Sequence, residues 1–394
     1  MATESGESHD RFSLVAGGPF HALLRQLRWV GKDLLPTRRA ALNLALLAWF
    51  TPAALAVVQS LLDDSYVGWS FFTDLTAYAR FLIAITAMII TERHADGRLE
   101  MLARQFRSAS IIADAGLPAF RTALARADRH SSSNLAEGAL AVAALAWSGL
   151  TERYVVELAN SSWEGTMTNA GVEMSWAGLA ARFVSNPLFL FLVFRWVWRF
   201  LIWALLLYRI SKLPLQLTPL HPDQSAGLGF LAIYPSIFSG FLFALSCVVA
   251  SSFLKDLSLV EHGSRTIWFA VGGWIAIGLG LFLGPLSVFA RPIYLAREQA
   301  LINYGRLANQ HHLAFERKWM GEVRSGEELL GNPDVSSLAD LNAGFVAVHS
   351  MHLIPVDREA VVGLFVAAGL PMLAVLAKEI PITDLLKWIA GAIF

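Results

Sequence analysis

Long apolar runs separated by polar, arginine-rich segments set the organisation of this chain. About twenty apolar residues cross the hydrocarbon core of a bilayer, and seven stretches approach that length. They are Ala40 to Leu62, with Pro52 as a kink; Leu75 to Thr91, short and containing Arg80; Leu135 to about Thr151; Pro187 to Tyr208; Leu228 to about Phe253; Ile267 to Ala290; and Ala360 to Ala377 around Pro371. A last apolar stretch, Ile382 to Phe394, is too short to cross and carries Asp384 and Lys387, which predicts an amphipathic helix that is interfacial or re-entrant. Between the runs, Leu99, Leu102, Phe106 and Ser110 share a helical stripe, as do Phe120, Leu124 and Ala127 after Pro118. Leu301, Tyr304, Ala308, Phe315 and Trp319 predict a further helix over Ala296 to Met320. After Gly331-Asn332-Pro333-Asp334, Ser337 with Asp340 resembles a capping box that would open another. No strand alternation, repeat or low-complexity segment is read in the chain.

The pattern predicts an all-α polytopic transmembrane helix bundle of about seven spans with a cytoplasmic helical extension. Its parts are an amino-terminal arm, 1–39; a six-span membrane domain, 40–290, with a helical insertion at 92–134; a cytoplasmic helical segment, 291–358; and a carboxyl-terminal span with its amphipathic helix, 359–394.

Composition agrees. The chain is 55% hydrophobic and only 16% charged over 394 residues, with a mean hydropathy of +0.51, against about 25% charged residues in ordinary soluble domains. Equal numbers of basic and acidic residues, 31 each, give no whole-chain electrostatic support for nucleic-acid binding. Location of charge carries more. The amino-terminal arm holds Arg11, Arg25, Arg28, Lys32, Arg38 and Arg39, whereas Asp63 to Thr73 holds no basic residue. Basic residues return at Arg93 to Arg129, thin out from Arg153 to Ser185 and between Lys255 and Arg265, and return again from Arg291 to Arg358. Under the positive-inside rule this places the amino terminus and the loop around His221 in the cytoplasm. The first forty residues lack the apolar core and small-residue site of a cleaved signal. The single Cys247 excludes an intrachain disulfide and reads as packing.

Two places concentrate candidate chemistry. Arg195 and Arg199 lie four residues apart on one face of the fourth run, and an isolated arginine at mid-membrane costs about 2.5 to 3.5 kcal/mol on insertion scales. They must face protein, water or an anion. One reading pairs them with Glu92 or Glu137. The other notes that Arg80, Arg195 and Arg199 lie within spans while no acid lies deep inside one, so that a small anion or lipid headgroup would supply the counter-charge. The second place is His221-Pro222-Asp223, followed by Gly227-Leu228-Gly229. Asp223 can cap the following helix, or orient His221 as a general base or metal ligand with Glu92 at the same face. His311-His312 and His349 with His352 lack the Cys or Glu that would complete a metal-ligand pattern. No phosphate loop, dinucleotide fingerprint or nucleophile elbow is present, so neither metal nor cofactor is expected.

At His221-Pro222-Asp223 with Gly227-Leu228-Gly229 the chain resembles a family of uncharacterised bacterial integral membrane proteins. The likeness extends over most of the chain, through Arg80 to Ala84 with Glu92, Phe194-Arg195-Trp196 with Trp198-Arg199 and Ile202-Trp203, Phe315 to Trp319, Leu330-Gly331 to Asp340-Leu341 and Leu385 to Lys387. It departs at Ala226, where such sequences read glycine, and at Thr86, where they read proline. The resemblance implies the multi-pass architecture and brings no activity. The leading expectation is therefore a channel or transporter for a small anion using Arg80, Arg195 and Arg199. The alternatives are a membrane-embedded enzyme built on His221 and Asp223, or a lipid-binding or scaffolding protein. Membrane lipids, a small anion and further copies of the chain are the partners it would have.

Overall fold

The computed structural model describes residues 13–14, 17–31, 35–63, 67–159, 161–168, 171–259, 264–321 and 331–379. Among these the chain is helical almost throughout. The helices of seven residues or more are α1 (Gly18–Gln26), α2 (Arg38–Asp63), α3 (Val67–Thr73), α4 (Leu75–Ser108), α5 (Leu117–Ser131), α6 (Asn134–Ala159), α7 (Trp176–Ile210), α8 (Ser239–Leu259), α9 (Ser264–Leu283), α10 (Ala290–Trp319), α11 (Pro333–His349), α12 (Arg358–Gly369) and α13 (Leu373–Glu379). Five helical stretches among the described residues are long and apolar enough to cross a membrane: Arg38–Asp63, Leu75–Ser108, Trp176–Ile210, Gly229–Leu257 and Arg265–Trp319. The apolar part of α6, Asn134–Leu150, is shorter.

The seventh expected run does not form one rod. It breaks between α12 and α13 at Pro371, whose missing N–H and ring interrupt a helix. The stretch Ile382 to Phe394 lies outside the described residues. A three-stranded antiparallel meander, β1 (Ser161–Ser162), β2 (Gly165–Thr168) and β3 (Gly171–Met174), sits between α6 and α7. Strands of two to four residues are too short to show the alternation on which a sequence reading depends.

On α2 small residues pack inward and large ones outward, the close helix approach expected where small side chains line a contact. On α2 the buried face is Ala41, Leu44, Ala45, Ala48, Pro52, Ala53 and Ala56, while Leu42, Leu46 and Phe50 on the other side are more than half exposed. That alanine face brings α2 against α4 and α7. Where they meet, both partners depart from regular α-helix, over Tyr78–Ala84 in α4 and Ala181–Ser185 in α7, as π-helical turns. Ser185 Oγ donates to the Ala48 carbonyl across this contact at 2.5 Å. At the other end, Gly240 lets α8 approach α4 at Thr91: a Cβ there would stand 2.1 Å from Thr91 Oγ1. Aromatic rings fill the centre, with Trp196 stacked on Phe241 at 5.3 Å and Phe238 on Phe282 at 5.7 Å.

Beyond the apolar part of α9, α10 and α11 form an antiparallel hairpin joined by Lys318 to Asp334 at 2.7 Å and by His311 with Ser337 at 3.0 Å. Helix α11 starts five residues earlier than the Ser337–Asp340 box implied. Asn332 is the cap, its side chain accepting from Asp334 N, and Pro333 occupies the first turn, where its missing N–H costs nothing. Ser337 instead donates to the Asp334 carbonyl inside the helix.

Candidate functional site

Helix α7 delivers Arg195 and Arg199 to the interior side by side, and the interior holds two carboxylates to meet them. Arg195 Nη1 donates to Glu92 Oε1 at 2.5 Å and its Nε to Glu137 Oε1 at 2.8 Å. Arg199 Nη1 donates to the same Glu92 oxygen. Glu92 comes from α4 and Glu137 from the first turn of α6, so three helices meet in one network. None of the four residues is more than 4% exposed. Among the described residues the ion pairs of the layer join two guanidinium and two carboxylate groups, and its second layer of contacts is also ordered. Phe20 N, at the start of α1, donates to Glu137 Oε2 at 2.9 Å. The Phe20 ring lies under the Arg195 guanidinium, 4.8 Å from its centroid, a favourable contact for a desolvated cation. Glu92 Oε2 is buried and accepts no hydrogen bond among the described residues. The geometry therefore realises the pairing with Glu92 and Glu137 that the sequence offered as one of two readings.

Arg80 is elsewhere. Its Nη1 donates to Asn186 Oδ1 at 3.1 Å. Asn186 lies nine residues before Arg195, about 13 Å along a helix rising 1.5 Å per residue. The three arginines singled out from the sequence thus occupy two levels of the bundle. Arg80 belongs to an outer cluster at the two π-helical turns, of which only Arg80 was named in advance. Asp74, capping α4, accepts from Thr76 N at 2.9 Å, Trp163 Nε1 at 2.7 Å and Lys255 Nζ at 3.2 Å. Trp163 stands edge-on to Phe71, centroids 4.9 Å apart, which fixes the meander on the end of the bundle. Glu164 beside it is 5% exposed. Burial pushes its carboxyl above the ordinary value of 4.5, against the lowering pull of Arg80 and Lys255. Asp74 before an apolar run was a readable cap, whereas nothing periodic marks Trp163 or Glu164.

Comparison of the chain with protein-family models, curated proteins and solved structures gives no match. The functional reading therefore rests on these side chains and on the third place, the His221 loop.

There Asp223 ties the loop to itself. Its Oδ1 accepts from Ser225 N at 2.9 Å and Gly227 N at 3.1 Å, and its Oδ2 from Gly229 N at 2.6 Å. His221 Nδ1 stands 2.9 Å from Oδ1. Burial raises the Asp223 pKa, but the hydrogen bonds from Ser225, Gly229, Gly227 and His221 outweigh it and hold the carboxyl below its ordinary 3.8. The turn runs through positive φ at Gln224, Ala226 and Gly227, of 54°, 57° and 91°. The missing glycine at Ala226 is therefore absent from a left-handed position, where a β-carbon costs roughly 1 to 2 kcal/mol. Gly229 has no such freedom to lose, since a Cβ there would meet Asp223 Oδ2 at 2.7 Å. His221 itself points outward, its side chain 47% exposed. The arrangement uses Asp223 to satisfy buried backbone donors, and the loop is held further by His352 N donating to the Gln224 carbonyl at 2.8 Å. Among the described residues no group of three His, Cys, Asp or Glu could hold a metal ion.

Proposed function

We propose that this chain is an inner-membrane channel or transporter for a small anion, held here with its arginine layer closed by Glu92 and Glu137. The observation that supports this is the convergence of Arg195 and Arg199 on one carboxylate oxygen of Glu92. Two arginines on one face, gripping a single anionic oxygen inside an apolar bundle, are a built anion site whose occupant is a side chain. A mobile anion of similar size and charge would compete with Glu92 for the same donors. Buried ion pairs rarely add net stability over well-packed apolar groups, and ionisable groups within spans mark ion pathways more often than scaffolding. In this reading the amino terminus and the His221 loop face the cytoplasm, and Arg80 lies at a second level toward the outside, in a cluster that also holds Lys255, Asp74 and Glu164. A second reading has its own support: the layer is neutral and sealed, as a purely structural lock between α4, α6 and α7 would be.

Reconstitution separates the two. Purified protein in liposomes is expected to pass chloride or nitrate in preference to potassium, with Glu92→Gln raising the flux several-fold and Glu92→Gln/Arg199→Gln abolishing the gain. Folded protein of all three kinds that passes no anion, under any imposed voltage or pH gradient, would favour the structural lock.

A further inference from the structure

We infer that α1, with the two residues Ser13 and Leu14 ahead of it, is a detachable latch that covers the arginine layer and controls access to it. The proposal rests on the anion reading for its purpose, though its geometry stands independently.

The latch is anchored at two carboxylates. Ser13 Oγ donates to Asp96 Oδ1 at 2.8 Å and to Oδ2 at 3.0 Å, and Leu14 N donates to Oδ1 at 2.9 Å. Asp96 lies one turn beyond Glu92 on α4, so this anchor sits directly over the layer. The second anchor is Phe20 N on Glu137 Oε2. At the end of α5, Ser131 Oγ donates to the Ser13 carbonyl at 3.2 Å, and a Cβ at Gly17 would stand 2.8 Å from Ser132 Cβ. Behind the anchors, Phe20 covers Arg195 and meets Phe191 at 5.3 Å, and Leu24 is 1% exposed.

What distinguishes a latch from an ordinary packed helix is how little of its apolar surface is buried and where its polar bonds go. Leu23 and Leu27 are nearly half exposed, and the buried side consists of Phe20, His21 and Leu24. Nine residues are too few for a helix to persist by itself, so its order depends on the acids it caps. One of those acids, Glu137, also holds Arg195. Any event that draws Glu137 or Arg195 toward another partner therefore loosens α1, and release of α1 removes the only donor from outside the arginines seen on the Glu137 carboxylate among the described residues. Access to the layer and docking of the latch are coupled through that one side chain, a reciprocal linkage.

Gly18 supplies the test. It has φ of +80°, and a Cβ there would stand 2.4 Å from Glu137 Oε2 and 2.5 Å from Cδ. Glu137 is pinned by Arg195 and Phe20 N, so Gly18→Ala forces the latch off. Asp96→Ala removes the other anchor and leaves the α1 backbone untouched. The full-length protein in detergent is treated with phenylglyoxal, and modification of Arg195 and Arg199 is mapped by peptide mass spectrometry. Both are protected in the native protein, and roughly ten-fold faster modification is expected in either variant, as for any segment with a lowered local opening energy. Arginines that stay protected in both folded variants overturn the latch. So does global unfolding of both variants, since α1 would then be an integral strut. If Gly18→Ala alone unfolds, Asp96→Ala decides. Faster modification with no accompanying anion flux in liposomes keeps the latch and sinks the anion reading alone.

Discussion

Replacing Arg195 by glutamine is expected to lower stability by roughly 3 to 5 kcal/mol, the loss typical when one partner is taken from a buried ion pair. Arg195 is the one residue that touches both carboxylates of the layer, so its removal leaves Glu137 with Phe20 N and places two negative charges opposite a single guanidinium. The Phe20 ring loses its cation at the same time. Thermal unfolding in detergent, followed by loss of the monodisperse species, reads this out. The reason is charge balance rather than lost contact area, and a double substitution isolates it. Arg195→Gln with Glu137→Gln restores one cation to one anion, so the pair should be less destabilised than the sum of the singles by about 0.5 to 3 kcal/mol. Additive effects would show that the two side chains do not act as a unit.

Asp223→Ala comes second, with an expected loss of at least about 2 kcal/mol, since each buried donor left without an acceptor costs about 1 to 3. Three backbone N–H groups lose their acceptor at once, two of them on the buried residues Ser225 and Gly227. The sign with pH follows from the depressed carboxyl. Its stabilisation is complete above the unfolded value, near 3.8, and disappears as pH falls through the lower folded value. The stability difference between the native protein and Asp223→Ala should therefore be flat through neutral pH and shrink only below 3.8. His221→Ala, at an exposed pair, is expected to cost no more than about 1 kcal/mol. A large effect of His221 together with a small one of Asp223 would contradict the loop-tie account.

Much of this architecture was legible because lipid imposes long apolar runs, and runs survive without knowledge of partners. The five long apolar helices, the stripes at Leu99 to Phe106 and Phe120 to Ala127, and the helix over Ala296 to Met320 follow from period and length, whereas the third run is shorter and the seventh is broken. The seventh run was read as one span around Pro371, and there the rod divides. The arginine layer was half legible. Spacing put Arg195 and Arg199 on one face, and Glu92 and Glu137 stood among the candidates for pairing. Placement of those acids at run ends hid how far inside they lie, because α4 continues well past Glu92 and α6 begins before Glu137. The separate level of Arg80, the seating of the meander on Asp74 and the docking of α1 were not legible at all. Each depends on contacts between segments more than sixty residues apart, through side chains that show no period.

The central claim is that the arginine layer is an anion site occupied by Glu92, and the stability of Glu92→Gln against added anion tests it most directly. Neutralising Glu92 leaves two arginines facing one carboxylate, which should destabilise the protein in the absence of a binding anion. If the layer accepts a mobile anion, chloride should restore that loss in proportion to the logarithm of its concentration, by about 2.7 kcal/mol at a hundred times the dissociation constant. A bulky organic anion at equal ionic strength should not, because screening acts alike for both. The native protein, where chloride must compete with Glu92 for the same donors, should respond to chloride far less than Glu92→Gln and to the organic anion not at all. A Glu92→Gln protein equally unstable in both salts would contradict the account and leave the arginine layer a structural lock.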